Sequence, residues 1–539
     1  MISKTENVTL QENADMMNLE NVIQKLGKNG PATLSNEEDD YRKRRDYVRN
    51  VISTAKSNVS LFSLEEMGHI LAADFLMQAT ADDEDNKEFD LKSVTTRNRI
   101  TSLPEMDPAL KAALSVVAEV IKKSGSYQEA LRAGVIAIEG CIPYVGGIIA
   151  AITSIFWPEN KKDVWDQVKD QVNKVVQNAI FENEYKIVAS QITAVKTGLN
   201  QYLNSPSKEE QRPLLIANML LINSLYERVN QSKYRHMLIG LMVPIGVLHL
   251  TVLSERYNHY KVLFGSDDRT QALEDLKKSY ENYKVFFDTV YVEWKNWRSG
   301  QLEVFFNSNH VLWNTVYSYG VNDGLGLYNF RYDIDDKSRA NDFKEWALNR
   351  CIADMAEVLS ATQTYSTLFK GIDVTLSPIL PELDTIVLGH YFWTRFKDTG
   401  NMRNTMIGNW STDKPTGEVT KINIYAYNSI DGLQFLYPDM PGTKVTGGGG
   451  ASFELNLDGK QCIGAKMDYS SGLVYMIQFF FADGSSSPAY GNKGGWHSIA
   501  SVDATVGKSY KLAFANFALG SGPSGTKGIN GVIFTFKRA

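Results

Sequence analysis

The sequence predicts a multidomain α and β protein: an N-terminal α-helical bundle around a central apolar helix, then a C-terminal all-β domain. Three observations carry that reading. Apolar residues recur every three or four positions from Ala109 to about residue 370, the signature of amphipathic helices. Inside that region Met237 to Leu253, MLIGLMVPIGVLHLTVL, runs for seventeen residues without a formal charge. From Gly371 onward the period changes to two, and turns rich in Gly, Asp, Asn and Ser separate the segments.

At 539 residues the chain is too long for one core, and two or three domains are expected. Hydrophobic residues make up 43% and charged residues 22%, with a net charge of -6, so a basic nucleic-acid-binding surface is not expected. The three cysteines, Cys141, Cys351 and Cys462, are far apart and give neither a disulfide framework nor a CxxC metal pair. The N-terminus, MISKTENVTLQENADMM, lacks the apolar core of a secretory signal. No run reaches the eighteen apolar residues of a constitutive transmembrane helix. The chain is therefore expected to be made as a soluble protein.

Residues 1–105 are polar and patchily charged, with an acidic block at Asp82-Asp83-Glu84-Asp85. They read as an N-terminal extension, either a flexible tail or a removable pro-segment. Ala133 to Phe156 is apolar and rich in small residues, and Pro143 splits it into two short helices. Asp163 to Ile180 repeats Trp165, Val168, Val172, Val175 and Ala179 on one face of an amphipathic helix, and Tyr185 to Leu203 continues the style. Ser207 followed by Glu210 reads as a capping box. The helix it opens places Leu214, Leu215, Leu221, Ile222, Leu225 and Val229 on an apolar face, with Asn223, Glu227 and Asn230 as a polar stripe opposite.

A short link, Gln231-Ser232-Lys233, leads into the uncharged stretch, so an amphipathic and an all-apolar helix form a hairpin. The seventeen residues would span roughly 25 Å, a little short of the roughly 30 Å bilayer core. A helix apolar on every side must be wrapped by helices or by lipid. The plainer interpretation is the core helix of a large bundle. Arg269 to Arg298 then carries the clearest seam in the chain, Leu273, Leu276, Tyr280, Tyr283, Phe287, Val290, Trp294 and Trp297. Phe305 to Asp336 reads as irregular and aromatic-rich, and a last helix is expected over Asp342 to Leu368. Strands are expected at Ile372–Leu376, Ile422–Tyr427, Gly432–Tyr437, Ser452–Leu457, Val474–Phe481, Lys511–Phe517 and Gly531–Phe536, in a sandwich, barrel or prism.

Enzymatic motifs are missing. Gly507-Lys508-Ser509 resembles the end of a P-loop, but Val502 stands where the upstream glycine is required. The seven histidines, among them His249, form no HExxH or close pair, and no GxSxG elbow occurs. No cofactor, metal or catalytic residue is expected, and the protein is not expected to be an enzyme.

Two parts of the chain carry resemblances. Ile142-Pro143-Tyr144-Val145-Gly146-Gly147 through Phe156-Trp157-Pro158, the helix with Trp165, and Leu248-His249-Leu250-Thr251-Val252-Leu253 resemble the pore-forming helical domain of insecticidal crystal toxins, the delta-endotoxins. That likeness covers roughly residues 109 to 370. Ile422-Asn423-Ile424-Tyr425, Ile430-Asp431-Gly432-Leu433-Gln434-Phe435-Leu436-Tyr437, Gly447 to Gly450 and Phe453-Glu454-Leu455-Asn456-Leu457 are similar to jacalin-like β-prism lectins over about residues 405 to 539. In such lectins a double-glycine loop and a Gly-x-x-x-Asp loop hold the sugar. Here Gly408-Asn409-Trp410 has no double glycine and Ile529 stands in place of the Asp, leaving Gly525, Lys527 and Asn530 as sugar-binding candidates. The pairing of domains looks like the B component of Pir-type binary insecticidal toxins.

The resemblance implies an N-terminal extension at 1–105, a pore-forming bundle at 106–371, a linker with first β segments at 372–404, and a jacalin-like β-prism at 405–539 that docks on a cell-surface receptor. It implies a pore-forming insecticidal-type toxin, released from its producer and acting at the plasma membrane of a target cell. Leu238, Leu241, Pro244, Leu248, His249, Leu250 and Leu253 are the membrane-inserting candidates. Asn223, Glu227 and Asn230 are the pore-lining candidates. The implied partners are the target membrane, a glycan or glycoprotein receptor, further copies of the chain in the membrane, and a small second toxin component, with no nucleic acid. The alternative is a non-lytic carbohydrate-binding lectin or adhesion protein.

Overall fold

A computed structural model describes residues 108–539, apart from 124–125, 143, 159–160, 177–178, 206, 312–313, 334–339, 392–417, 439–444, 447–448, 458, 471–472, 493–499 and 522–526. The polar extension at 1–105 lies outside the described residues. The chain divides into two compact units. One takes residues through Asn173, Asn178–Val290 and Ala361–Ile379; the other takes Lys174–Gln177, Tyr291–Ser360 and Leu380–Ala539.

The first unit is helical. Its helices are α1 (Pro108–Lys123), α2 (Tyr127–Ala137), a 3-10 turn (Ile138–Cys141), α3 (Gly147–Phe156), α4 (Val164–Val176), α5 (Ala179–Asn204), α6 (Lys208–Gln231), α7 (Arg235–Asn258), α8 (Tyr260–Phe264) and α9 (Thr270–Gly300), of which the end of α4 from Lys174 and the end of α9 from Tyr291 are counted with the second unit. Local chemistry sets several boundaries. Ser126 Oγ accepts the Glu129 amide while the Glu129 carboxylate accepts the Ser126 amide, a reciprocal cap that starts α2. The break between α2 and α3 falls around Pro143, as expected. Ser207 Oγ accepts the Glu210 amide at 3.3 Å and starts α6. Along α9 the seam is buried at Leu276, Tyr280, Tyr283, Phe287, Val290 and Trp294 and half-buried at its two ends, Leu273 and Trp297.

Helix α10 (Ala340–Leu359) belongs to the second unit, where it packs on strands of that unit. The expected helix to Leu368 stops nine residues early and continues as a 3-10 segment, Ser360–Phe369. The cause is a run of hydroxyls. Ser360, Thr364, Ser366 and Thr367 each donate to the carbonyl three residues back, a pattern that suits the tighter helix.

The region from Phe305 is not irregular. It forms a long antiparallel hairpin of β1 (Leu302–Val311) and β2 (Asn314–Asp323), in register from Leu302↔Asp323 to Val311↔Asn314, extended by β3 (Phe330–Asp333). The polar run Asn307-Ser308-Asn309-His310 hides the alternation that would have announced it. The strand expected at Ile372–Leu376 is absent. There the Val374 amide bonds back to the Ile372 carbonyl at 2.9 Å, a tight turn that pairs with no strand among the described residues.

The remaining strands are β4 (Thr385–Tyr391), β5 (Lys421–Ala426), β6 (Ile430–Leu436), β7 (Val445–Thr446), β8 (Ala451–Asn456), β9 (Cys462–Ser470), β10 (Leu473–Phe481), β11 (Tyr490–Gly491), β12 (Ala500–Thr505), β13 (Tyr510–Ser521) and β14 (Lys527–Arg538). They form three antiparallel sheets, ordered β11-β10-β9-β12, β13-β14-β4 and β7-β6-β5-β8. Each sheet packs on the other two, which makes a three-sided prism. Its axis is marked by one phenylalanine from each sheet: Phe479 lies 6.4 Å from Phe435 and 6.3 Å from Phe534, ring centre to ring centre.

Helix α10 is tied to the turn between β12 and β13. The Glu357 carboxylate accepts the Ser509 amide at 3.1 Å, and a side chain at Gly507 would collide with Glu357 Oε2 at 2.2 Å. Gly507-Lys508-Ser509 is thus a β-turn, not a phosphate loop. One turn earlier, burial pushes the Asp354 carboxyl up to about 7, and the nearby Asp503 carboxylate adds to the effect. A raised carboxyl stabilises the fold fully below its ordinary value of 3.8, and that contribution is lost as pH rises through about 7. Asp354 keeps some contact with solvent. We therefore expect Asp354→Asn to gain only ~1–2 kcal/mol over the native protein at pH 8, and nothing at pH 4. Urea midpoints at the two pH values check this.

Candidate functional site

The α6–α7 hairpin is the candidate site. Every residue of α7 from Met237 to Glu255 is buried, which places Leu238, Leu241, Pro244, Leu248, His249, Leu250 and Leu253 inside the unit. Helices α3, α5, α6 and α8 pack directly on α7. The wrapping is completed by Tyr283 of α9 and by Tyr365 and Leu368 of the 3-10 segment. The helix is therefore a sheathed apolar rod, which is how water tolerates a helix with no polar face.

Most of its few polar groups have partners. His249 Nδ1 lies 3.1 Å from Tyr283 Oη, and the two rings meet edge to face. Ser254 Oγ donates to the Leu368 carbonyl at 3.2 Å. Glu255 sits at the start of α3: its Oε1 accepts the Gly146 amide at 2.6 Å and the Tyr202 hydroxyl at 3.0 Å. Burial pushes this carboxyl above its ordinary range, and the nearby His259, the amides of the helix end and the Tyr202 hydroxyl offset that only in part. His259 Nε2 approaches the same oxygen to 3.9 Å. Thr251 Oγ1 is buried with no hydrogen-bond partner.

Proline and glycine explain the centre of the rod. Pro244 has no amide hydrogen to offer the Gly240 carbonyl. Beside it, Tyr365 Oη donates to the Val243 carbonyl at 2.7 Å and to that of Met242 at 3.3 Å. Gly246 makes room for this ring, since an added Cβ would stand 2.1 Å from Tyr365 Oη. Tyr365 is itself fully buried against Tyr283 and Phe287, with ring centres 5.7 and 6.1 Å away. Sequence reasoning singled out the odd glycines and proline but had no means of finding Tyr365, some 120 residues downstream.

Helix α6 buries Leu215, Ile222, Leu225, Tyr226 and Val229, with Tyr226 packed edge to face on Tyr283 and Phe286 of α9, and its buried Asn218 bonds back to the Leu214 carbonyl. On its outer side Ile216, Leu220, Asn223, Glu227 and Asn230 share one stripe at helical spacing. Asn223 is exposed, Glu227 and Asn230 are half-buried, and Leu220 is 66% exposed. Glu227 accepts a hydrogen bond from Gln231 at 3.1 Å.

Two of the three sugar-binding candidates, Lys527 and Asn530, fall among the described residues. Gly525 lies outside them. Lys527 opens β14, and Asn530 is the extra residue of a bulge where Ala518↔Gly531 gives way to Leu519↔Ile529. Asn530 is buried, and its Oδ1 has no hydrogen-bond partner. Elsewhere, burial pushes the thiols of Cys141, Cys351 and Cys462 up to about 12, so none is a ready nucleophile at neutral pH. Among the described residues no three metal-ligating side chains cluster.

Residues 134–296 match the family described as delta endotoxin, N-terminal domain. The match encloses the whole α6–α7 hairpin and bears out the resemblance drawn from the two helical motifs. No curated protein sequence matches the chain. Among solved structures, the chain is similar to the insecticidal delta-endotoxin Cry8Ea1 from Bacillus thuringiensis, at 13% identity over 77% of this chain and 74% of that one, with a TM-score of 0.45. It is similar to PirB at 14% identity over 74% of this chain and 91% of that one, TM-score 0.44. Frutapin, a lectin from Artocarpus incisa, is similar at 12% identity over 29% of this chain and 97% of that one, TM-score 0.21.

Proposed function

We propose that the protein is a pore-forming toxin of the insecticidal delta-endotoxin type. The β-prism docks on a receptor, a glycan or glycoprotein, at the surface of a target cell. The helical unit then opens, and the α6–α7 hairpin enters the bilayer. The single observation that supports this reading best is the unbroken burial of α7 from Met237 to Glu255, a rod with no formal charge as far as Leu253 and long enough to approach a bilayer's thickness, inside a segment matching the delta endotoxin N-terminal domain.

The energetics run in the same direction. Apolar residues at a helix centre each favour the bilayer by about 0.3–0.6 kcal/mol, so the dozen in α7 favour transfer by several kcal/mol. In water the same side chains are covered by the sheath, so the two states compete and a trigger such as proteolysis or receptor binding decides between them. In the membrane several copies would turn the stripe with Asn223, Glu227 and Asn230 toward a water-filled lumen. A smaller second protein would act with the chain in a binary toxin.

The test is dye release from phosphatidylcholine vesicles carrying target-cell membrane extract, measured before and after limited proteolysis and with or without a candidate second component. Release after cleavage is expected. Strong binding on a glycan array with no release under any of these conditions would overturn the pore and favour a non-lytic lectin.

A further inference from the structure

We propose that residues Ala361–Ile379 are a strap that holds α7 in its resting place and must leave before the hairpin can. The proposal rests on the pore-forming reading and names the restraint that such a pore would have to release. The strap belongs to the helical unit, yet the chain enters it from Ser360 and leaves it at Leu380, both in the other unit. A displacement of that unit therefore draws on the strap from both ends through the backbone itself.

The strap grips the rod at two points. At the first, Tyr365 places its hydroxyl where a side chain of residue 246 would stand and donates to the Val243 carbonyl. At the second, eight residues and about 12 Å along α7, the Leu368 carbonyl accepts the Ser254 hydroxyl. On its return path the Ser377 carbonyl accepts the hydroxyl of Tyr280 on α9 at 2.9 Å. Phe369 packs its ring on Tyr280, edge to face, at 5.4 Å.

The same segment is suited to letting go. Its 3-10 geometry has weaker hydrogen bonds than an α-helix and is cheap to unwind. At its exit Leu380 is held at φ 49°, a left-handed conformation that a residue with a side chain adopts at a cost. The ring of Tyr365 is held mainly by other rings, and its hydroxyl meets carbonyls of the rod alone.

Tyr365→Phe keeps the ring and removes the hydroxyl. In the full-length protein, native-state hydrogen exchange at amides 242–250 should accelerate about tenfold, the effect of losing one good buried hydrogen bond. Amides 192–199 of α5 should not change. After proteolysis, dye release should begin about tenfold sooner than for the native chain. Ser254→Ala, which loosens the second grip, should act in the same direction and stands in if Tyr365→Phe fails to fold. Unchanged exchange at 242–250, or equal acceleration in α5, overturns the strap whatever the vesicles show. Faster exchange with native-like release timing overturns its role as the restraint. Faster exchange with no release from any chain instead sinks the pore reading and leaves only a structural contact.

Discussion

Leu248→Asp is expected to abolish dye release and to remove most of the helical unit's stability. Leu248 is fully buried near the middle of α7. Losing its apolar side chain forfeits about 2–3 kcal/mol of burial. The new carboxyl enters an apolar sheath where His249 and Tyr283 already pair with each other, and burying it there costs about 1–3 kcal/mol more. A total of about 3–6 kcal/mol compares with the 5–15 kcal/mol that holds a typical domain together. The same substitution penalises insertion, because Asp at a helix centre costs about 2.5–3.5 kcal/mol in the bilayer. Leu248→Met, which conserves volume and polarity, should cost less than ~1.5 kcal/mol and keep release. Urea midpoints and vesicle assays on the pair check both statements. Native-like release from Leu248→Asp would mean that α7 stays out of the membrane.

Asp323→Ala should be the most damaging single change in the second unit. The Asp323 and Arg298 side chains are both fully buried and face each other through two hydrogen bonds of 2.8 and 2.6 Å. The same carboxylate accepts the amides of Leu325, Leu327 and Tyr328 at 2.9–3.0 Å, closing the turn that links β2 to β3. Burial alone would push this carboxyl up, but the Arg298 guanidinium and the backbone amides outweigh it and hold it below the usual range. Its contribution is therefore present above pH 3.8 and is lost as pH falls further. Removing it strands a buried guanidinium, at a cost of about 3–5 kcal/mol. A melting point lower by roughly 6–20 °C is the expected reading. Arg298→Met combined with Asp323→Leu should recover most of the loss, since the paired charges are then absent together. A single-variant loss below ~1 kcal/mol would show that the pair does not anchor the hairpin.

What the sequence disclosed follows from the range of the forces involved. The seam of α9, the cap at Ser207 and the uncharged rod depend on neighbours within a turn or two, so their patterns survive in the linear chain. The second half of β1 does not, because Asn307 to His310 are polar and their partners Thr315 to Ser318 supply the strand character from across the hairpin. The alternation at Ile372–Leu376 misled in the opposite sense: the period was right, but among the described residues no strand pairs with it. At the candidate site the rod was legible and its restraint was not. Gly246 appears as a flaw in a helix until Tyr365 is seen to occupy the space above it.

The last strand of the β-prism unit pairs with its first, from Lys537↔Thr385 to Gly531↔Tyr391. A protease that nicks a surface loop anywhere between them therefore leaves two polypeptides still zipped along a shared ladder and still sharing the axial phenylalanines. Such a cut would be invisible by gel filtration and would appear only once the sample is boiled in detergent. Fragment sizes on a denaturing gel would then count scissions, while the hydrodynamic radius would report whether anything had come apart.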